Sequence, residues 1–252
     1  MAIQATPTDQ RNQPAGLSIV SALVNGVQVP VACPAAWCTE NHTGDERRHV
    51  EDIDHVSDNV DLNAPAFNSS DDGIFDQRLI AYAHLGQDLY ASDPNMRAAH
   101  VRVEDRGGEA SYLTPDQADA FAGNLDAFAT QIRTLAHTAR GTQAVEPGHY
   151  PWCTPGACAI YQGDEGPTVE HRSADATITA PAGFQASKDR ILHAHLVADD
   201  AYEFGAPAVS AVDATGSGTL LDTEALDQLI DQTANALTQL RAMRLHMQAA
   251  QA

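Results

Sequence analysis

The chain has 252 residues and a formal net charge of −20, with 34 acidic side chains against 14 Lys and Arg. A surface this acidic repels phosphate backbones and anionic lipid, which argues against direct nucleic-acid binding and against a membrane as partner. An apolar share of 43% supports packed cores and an aromatic share of 6% makes them cores of small side chains, while no run approaches the roughly 20 apolar residues that span a bilayer.

Residues 1–16 are polar and carry no apolar signal core, so they read as a loose tail and the protein as cytoplasmic. Residues 17–24 and 27–32 read as two strands joined at Asn25-Gly26, a pair that accepts the positive φ of a type I′ turn. The hairpin leads into Cys33-Pro34-Ala35-Ala36-Trp37-Cys38, followed by His42 and His55. Beyond His55, a polar stretch with Asn63, Pro65, Asn68, Ser69, Ser70, Asp71, Asp72 and Gly73 reads as loop or irregular structure. Residues 79–85 and 99–103 then read as strands, and Arg106-Gly107-Gly108 would reverse the chain into a short third strand ending at Leu113. Thr114-Pro115-Asp116-Gln117 supplies a capping threonine, a proline at the first helical position and a capping-box glutamine. Ala118, Phe121, Leu125, Phe128, Ile132 and Leu135 follow at steps of three and four, one buried helical face. Residues 139–148, with Gly141, Pro147 and Gly148, lack periodicity and read as a linker.

The remainder repeats this order. The chain's two tryptophans sit in Trp37-Cys38 and Trp152-Cys153, residues 191–196 and 208–212 match the strands, and a third strand ends at Leu221. A step of 108 carries the helical face onto Leu226, Leu229, Thr233, Ala236, Leu240 and Met243. Where Phe128 becomes Ala236, its neighbour Ala129 becomes Leu237, an exchange that conserves buried volume. The expected fold is α+β, with two repeated units (17–138 and 149–252) around the linker. Each unit is expected to hold a zinc knuckle, a short antiparallel meander of three strands and a C-terminal amphipathic helix.

Four soft-metal donors stand at matched places in each unit: Cys33, Cys38, His42 and His55, then His149, Cys153, Cys158 and His171. The step from His42 to His55 is 13 residues, as is that from Cys158 to His171. Both sets keep two cysteines and two histidines although the types are exchanged, a constraint that a shared ligand requirement explains. Zinc favours tetrahedral thiolate–imidazole sites, and four protein donors make a closed structural one, so one zinc per unit is expected. His49 could replace His55, but it has no counterpart in the second unit. Two other readings remain open: buried free thiols in a reducing cytosol, and disulfides joining Cys33 to Cys38 and Cys153 to Cys158. His84 and His195 fall at equivalent strand positions and read as packed side chains, and neither a nucleophile elbow nor a His-Glu-x-x-His pair occurs.

Cys33-Pro34, Trp37-Cys38, His42 and Asp54-His55 resemble the opening of a small actinobacterial domain family of unknown function, with a Cys-Pro-x-Trp-Cys-x-x-x-His start, a later histidine, short strands and a C-terminal helix. Here two alanines separate Pro34 from Trp37, and the second unit exchanges its donor types. The resemblance covers nearly all of each unit, so the chain looks like a tandem copy; the family implies no activity.

These features favour a non-catalytic, zinc-stabilised protein that engages a protein partner as an interaction or regulatory module. A zinc hydrolase is the main competitor, with one of the four places open to water and Asp54 or Glu170 as base. An acidic inhibitor that mimics DNA is a third reading, although the acidic residues are scattered rather than arrayed.

Overall fold

A computed structural model of the chain describes residues 17–34, 36–44, 46–65, 68–69, 73–74, 77–141, 149–154, 156–163, 166–181, 189–199, 207–216 and 218–249. The expected tail 1–16, positions 142–148 of the linker and the Asp71-Asp72 pair lie outside the described residues.

Strands β1 (Ser18–Val24) and β2 (Val27–Cys33) form the opening hairpin, in register from Ser18↔Cys33 to Val24↔Val27. Asn25 (φ 48°) and Gly26 (φ 73°) turn it, because only such residues take two successive positive φ values at little cost. Its inner face buries Ala22 and Val31 against Ile53, with Val50 and Tyr90 packed alongside. The Ala32 N–H donates to the Tyr90 hydroxyl at 3.0 Å and so ties the hairpin to the body of the protein.

A 3-10 turn (Val50–Asp52) precedes β3 (His55–Val56), β4 (Val60–Pro65), β5 (Asn68–Ser69) and β6 (Gly73–Ile74). Then come β7 (Gln77–Gln87), the short helix α1 (Pro94–Arg97), β8 (His100–Asp105), β9 (Ala110–Leu113) and the long helix α2 (Pro115–Gly141). Strand β7 is central to an antiparallel sheet of order β3-β7-β8-β9, with β4 also paired to β7. The second half consists of β10 (Ala159–Gly163), β11 (Gly166–Arg172), β12 (Ala176–Thr179), β13 (Arg190–Asp199), β14 (Ala208–Asp213), β15 (Gly218–Leu221) and helix α3 (Thr223–Ala249). Its sheet runs β10-β11-β13-β14-β15, with β12 on β13.

Two sequence expectations need correction. The stretch after His55 is not loop throughout, because Val60, Leu62 and Ala64 are buried and alternate with Asp61 and Asn63 as strand β4. The dense polar residues beyond it hid that period of two. The three-strand meanders β7-β8-β9 and β13-β14-β15 exist, but each is part of a wider sheet. The added strands β3, β4, β10, β11 and β12 are too short, or too interrupted, to leave a clear alternation in the sequence.

Both long helices start at side-chain caps. The Thr114 N–H donates to Gln117 Oε1 at 2.9 Å, while the Gln117 N–H donates to Thr114 Oγ1 at 3.4 Å. On α3 the Ala225 N–H donates to Asp222 Oδ1 at 2.8 Å. The apolar stripe of α2 is buried from Ala118 to Ile132, as is the α3 stripe from Leu226 to Met243. Phe128, Ala129, Ala236 and Leu237 are all buried, which fits the volume exchange between the two helices.

The helices run antiparallel, with Asp119 paired to Arg244 at 2.8 Å near one end and Asp227 to Arg140 at 2.5 Å near the other. Each leans chiefly on the sheet of the opposite half, α2 on β12, β13 and β14, and α3 on β4. The Thr177 N–H of β12 donates to Gln131 Oε1 of α2 at 3.3 Å. As a result one hydrophobic core runs continuously from Val60 in the first half to Met247 in the second.

Candidate metal centres

Backbone ties bring the first donor set together. Cys33 ends β2 and is buried. Pro34 opens a turn in which its carbonyl accepts from the N–H groups of Trp37 and Cys38 at 3.1 and 3.0 Å. The Thr39 N–H then donates to the Val56 carbonyl at 2.9 Å, which holds Cys38 beside the strand carrying His55. His42 is tied to β1 through its carbonyl, which accepts from the Leu23 N–H at 2.9 Å. His55 starts β3 opposite Gln87 and is fully buried.

The second set reuses this frame with a different entry. The Thr154 N–H donates to the Arg172 carbonyl at 2.9 Å, the counterpart of the Thr39–Val56 bond, and places Cys153 beside His171 on β11. Cys158 stands directly before β10, and the register Ala159↔Glu170 sets it across from His171. His149 is exposed. Tyr150 stacks on Trp152 with ring centroids 4.9 Å apart and meets His171 edge-on at 5.0 Å. Trp37 and Trp152 are partly buried and pack against the main core beside their donor sets.

All eight donor residues singled out in the sequence therefore fall into two groups. In each group, one donor atom per residue lies within 4.8 Å of every other. Cys38 Sγ is 3.6 Å from His42 Nε2 and 3.8 Å from His55 Nδ1, and the two nitrogens are 3.2 Å apart. Cys153 Sγ is 3.6 Å from His171 Nδ1, while Cys158 Sγ is 3.5 Å from His149 Nδ1 and 3.9 Å from His171 Nδ1. A tetrahedral zinc with bonds of about 2.3 Å to sulfur and about 2.0–2.1 Å to nitrogen has sulfur–nitrogen edges near ~3.6 Å and nitrogen–nitrogen edges near ~3.3 Å. The six donor pairs measured above lie close to those edges, and the remaining pairs fall within 4.8 Å. His49 is not part of either group. None of the four cysteines is in a disulfide.

A cation at each centre would offset the cost of ionising its thiols. Burial first, then the hydrogen bond and charge of Cys38, pushes the Cys33 thiol up to about 12; burial and Cys158 push Cys153 up to about 11. Burial, with His42 beside it, holds His55 down to about 4 and keeps its imidazole neutral, with a lone pair to give. Two thiols so close resist joint ionisation, and a divalent ion between them removes that resistance by stabilising both thiolates. His55 Nε2 is buried without a hydrogen-bond partner, and the Ala32 backbone acts on the His55 ring. With Nδ1 on a metal, Nε2–H would be the remaining donor of the ring, free to take a backbone acceptor that orients it.

One feature beside the first centre was not anticipated from sequence. A cleft of about 100 Å³ is lined by Asp54, His84, Gly86, His100, Arg102 and Tyr112, among others. His100 donates from Nδ1 to the Ala98 carbonyl at 3.0 Å, and its Nε2 lies where a side chain on Gly86 would sit. His84 faces Asn59 Oδ1 at 3.2 Å, whereas its counterpart His195 accepts from Arg172 Nε at 3.2 Å. The buried pair His84 and His195 is legible only as equivalent strand positions, since contact with Asn59 or Arg172 leaves no sequence signal. Asp54 has its carboxyl raised by burial and by Asp88.

Among the described residues, no helix is long and apolar enough to cross a membrane. A family described as a domain of unknown function, DUF6907, matches residues 17–141 and again residues 136–249. No curated protein and no solved structure matches the chain.

Proposed function

The chain belongs to the DUF6907 family and carries its domain twice; from that premise we propose that it is a non-catalytic protein in which two structural zinc knuckles hold a tandem scaffold that presents its acidic surface to a protein partner. The observation that carries this reading is the donor count: four protein donors gathered within 4.8 Å of one another in each set would fill a tetrahedral shell and leave no place for a reacting water. Structural zinc contributes about 10–16 kcal/mol of apparent binding free energy in small domains, enough to replace missing core in a protein with few aromatic residues. Thiolate donors need reduced cysteines, which suits the cytoplasm.

A hydrolase reading has one observation in its favour, the cleft that places Asp54 near the first centre. Cobalt(II) substitution separates the two. Two closed Cys₂His₂ sites give intense tetrahedral d–d bands and sulfur-to-cobalt charge transfer, unchanged by added azide or phosphate. A spectrum that shifts with those anions means an exchangeable position and overturns the non-catalytic reading.

A further inference from the structure

We propose that the two centres divide the work: the first is a permanent staple, and the second is an exchangeable site whose metal locks the edge strand β10 onto its sheet. This rests on the zinc reading above and adds to it a role for one site. The difference begins at the one position where the donor types and their burial both diverge. In the first set that donor is Cys33, which is 3% exposed and continuous with a seven-residue strand; in the second it is His149, which is exposed and precedes the first described turn of its half. Replacing a zinc ligand requires an incoming donor to reach the metal, which for a moment becomes five-coordinate. An exposed imidazole can swing away and admit that donor, whereas Cys33 cannot leave without opening the hairpin β1–β2 and the cluster around Ile53.

The structural consequence follows from what the second metal would join. Cys158 is the residue before β10, and His171 lies across from it on β11, so a metal bound to both closes the open end of this hairpin. Among the described residues, strand β10 pairs with β11 alone and lies at the edge of the sheet. It carries Ile160 and Tyr161 at 69% and 50% exposure, so little apolar burial holds it in place. With the metal gone, the five residue pairs from Ala159↔Glu170 to Gly163↔Gly166 remain to hold it, which is marginal for a hairpin edge in water. Release of β10 bares the edge of β11, a row of unpaired backbone groups able to accept another strand.

The test uses the full chain loaded with zinc and a colorimetric chelator in excess. Two phases of equal amplitude are expected, one zinc each, with rates separated by about tenfold or more, the ratio that about 1.4 kcal/mol of barrier difference gives. His149→Ala should leave the slow phase unchanged and abolish or further speed the fast one. Hydrogen exchange on the one-zinc intermediate should rise in residues 158–172 and stay level in 18–33. Release of both ions at one rate, a slow phase that disappears in His149→Ala, or unchanged protection of β10 after the first zinc leaves would each overturn the proposal. A chain that takes up no zinc at all instead overturns the structural-zinc reading beneath it.

Discussion

Cys38 shows how much one side chain carries, since its sulfur is within 3.8 Å of two imidazole donors and its backbone is held by Pro34. Cys38→Ser is expected to lose the first metal and to destabilise the fold by several kcal/mol, because an incomplete set forfeits most of a binding energy of order 10 kcal/mol. Unchanged metal content and thermal midpoint in this variant would refute the role given to that site. Gly86 has a separate constraint: a Cβ there would meet His100 Nε2 at 2.7 Å, so Gly86→Ala should cost about 1–3 kcal/mol by overpacking, read from the urea midpoint. His84 sets a pH dependence. Burial, then the charge of Arg102, holds its imidazole down to about 4, against about 6.5 in an unfolded chain. Between those values the unfolded chain takes up a proton that the folded chain refuses. The contribution is therefore complete above about 6.5 and is lost as the pH falls toward about 4. The stability gap between wild type and His84→Gln should accordingly narrow from pH 7.5 to 5.5, and a gap that stays constant or widens would contradict this.

At the level of elements, the long helices were the most legible parts of the sequence. The cap at Thr114 and the stripes at steps of three and four carry their own physics and need no tertiary context to be recognised, whereas the Asp222 cap of α3 emerged only from the structure. The turn at Asn25-Gly26 was equally plain because few residue pairs accept its backbone. Strand β4 was not, since its period of two spans only six residues and runs into Pro65, Asn68 and Ser69. The donor sets could be read from repeat spacing, but their closure could not: it depends on Thr39 pairing with Val56 and Thr154 with Arg172, contacts between segments with no shared pattern. The exchange of bulk between helices is testable here. Phe128, fully buried on α2, should cost about 3–5 kcal/mol as Phe128→Ala. Adding Ala129→Leu reproduces the Ala236-Leu237 arrangement of α3 and should recover part of that loss in chemical denaturation. No recovery would mean that the two helix faces are not equivalent in packing.

For the whole molecule, the arrangement of α2 and α3 matters most. Each helix lies mainly on the opposite half's sheet and the core is continuous, so neither half encloses its own apolar surface. Residues 17–141 produced alone are expected to self-associate, with two copies exchanging helices as the two halves do here, or to remain unfolded. A stable, cooperatively melting monomer in sedimentation and circular dichroism would contradict that expectation. The ion pairs between the helices are exposed and contribute little, so high salt should change the melting of the intact chain only slightly. The account as a whole stands on metal at both centres. Its most direct test is the native mass of the full chain purified without added metal: the account predicts the mass of the polypeptide plus two zinc ions, and the mass of the bare polypeptide would contradict it.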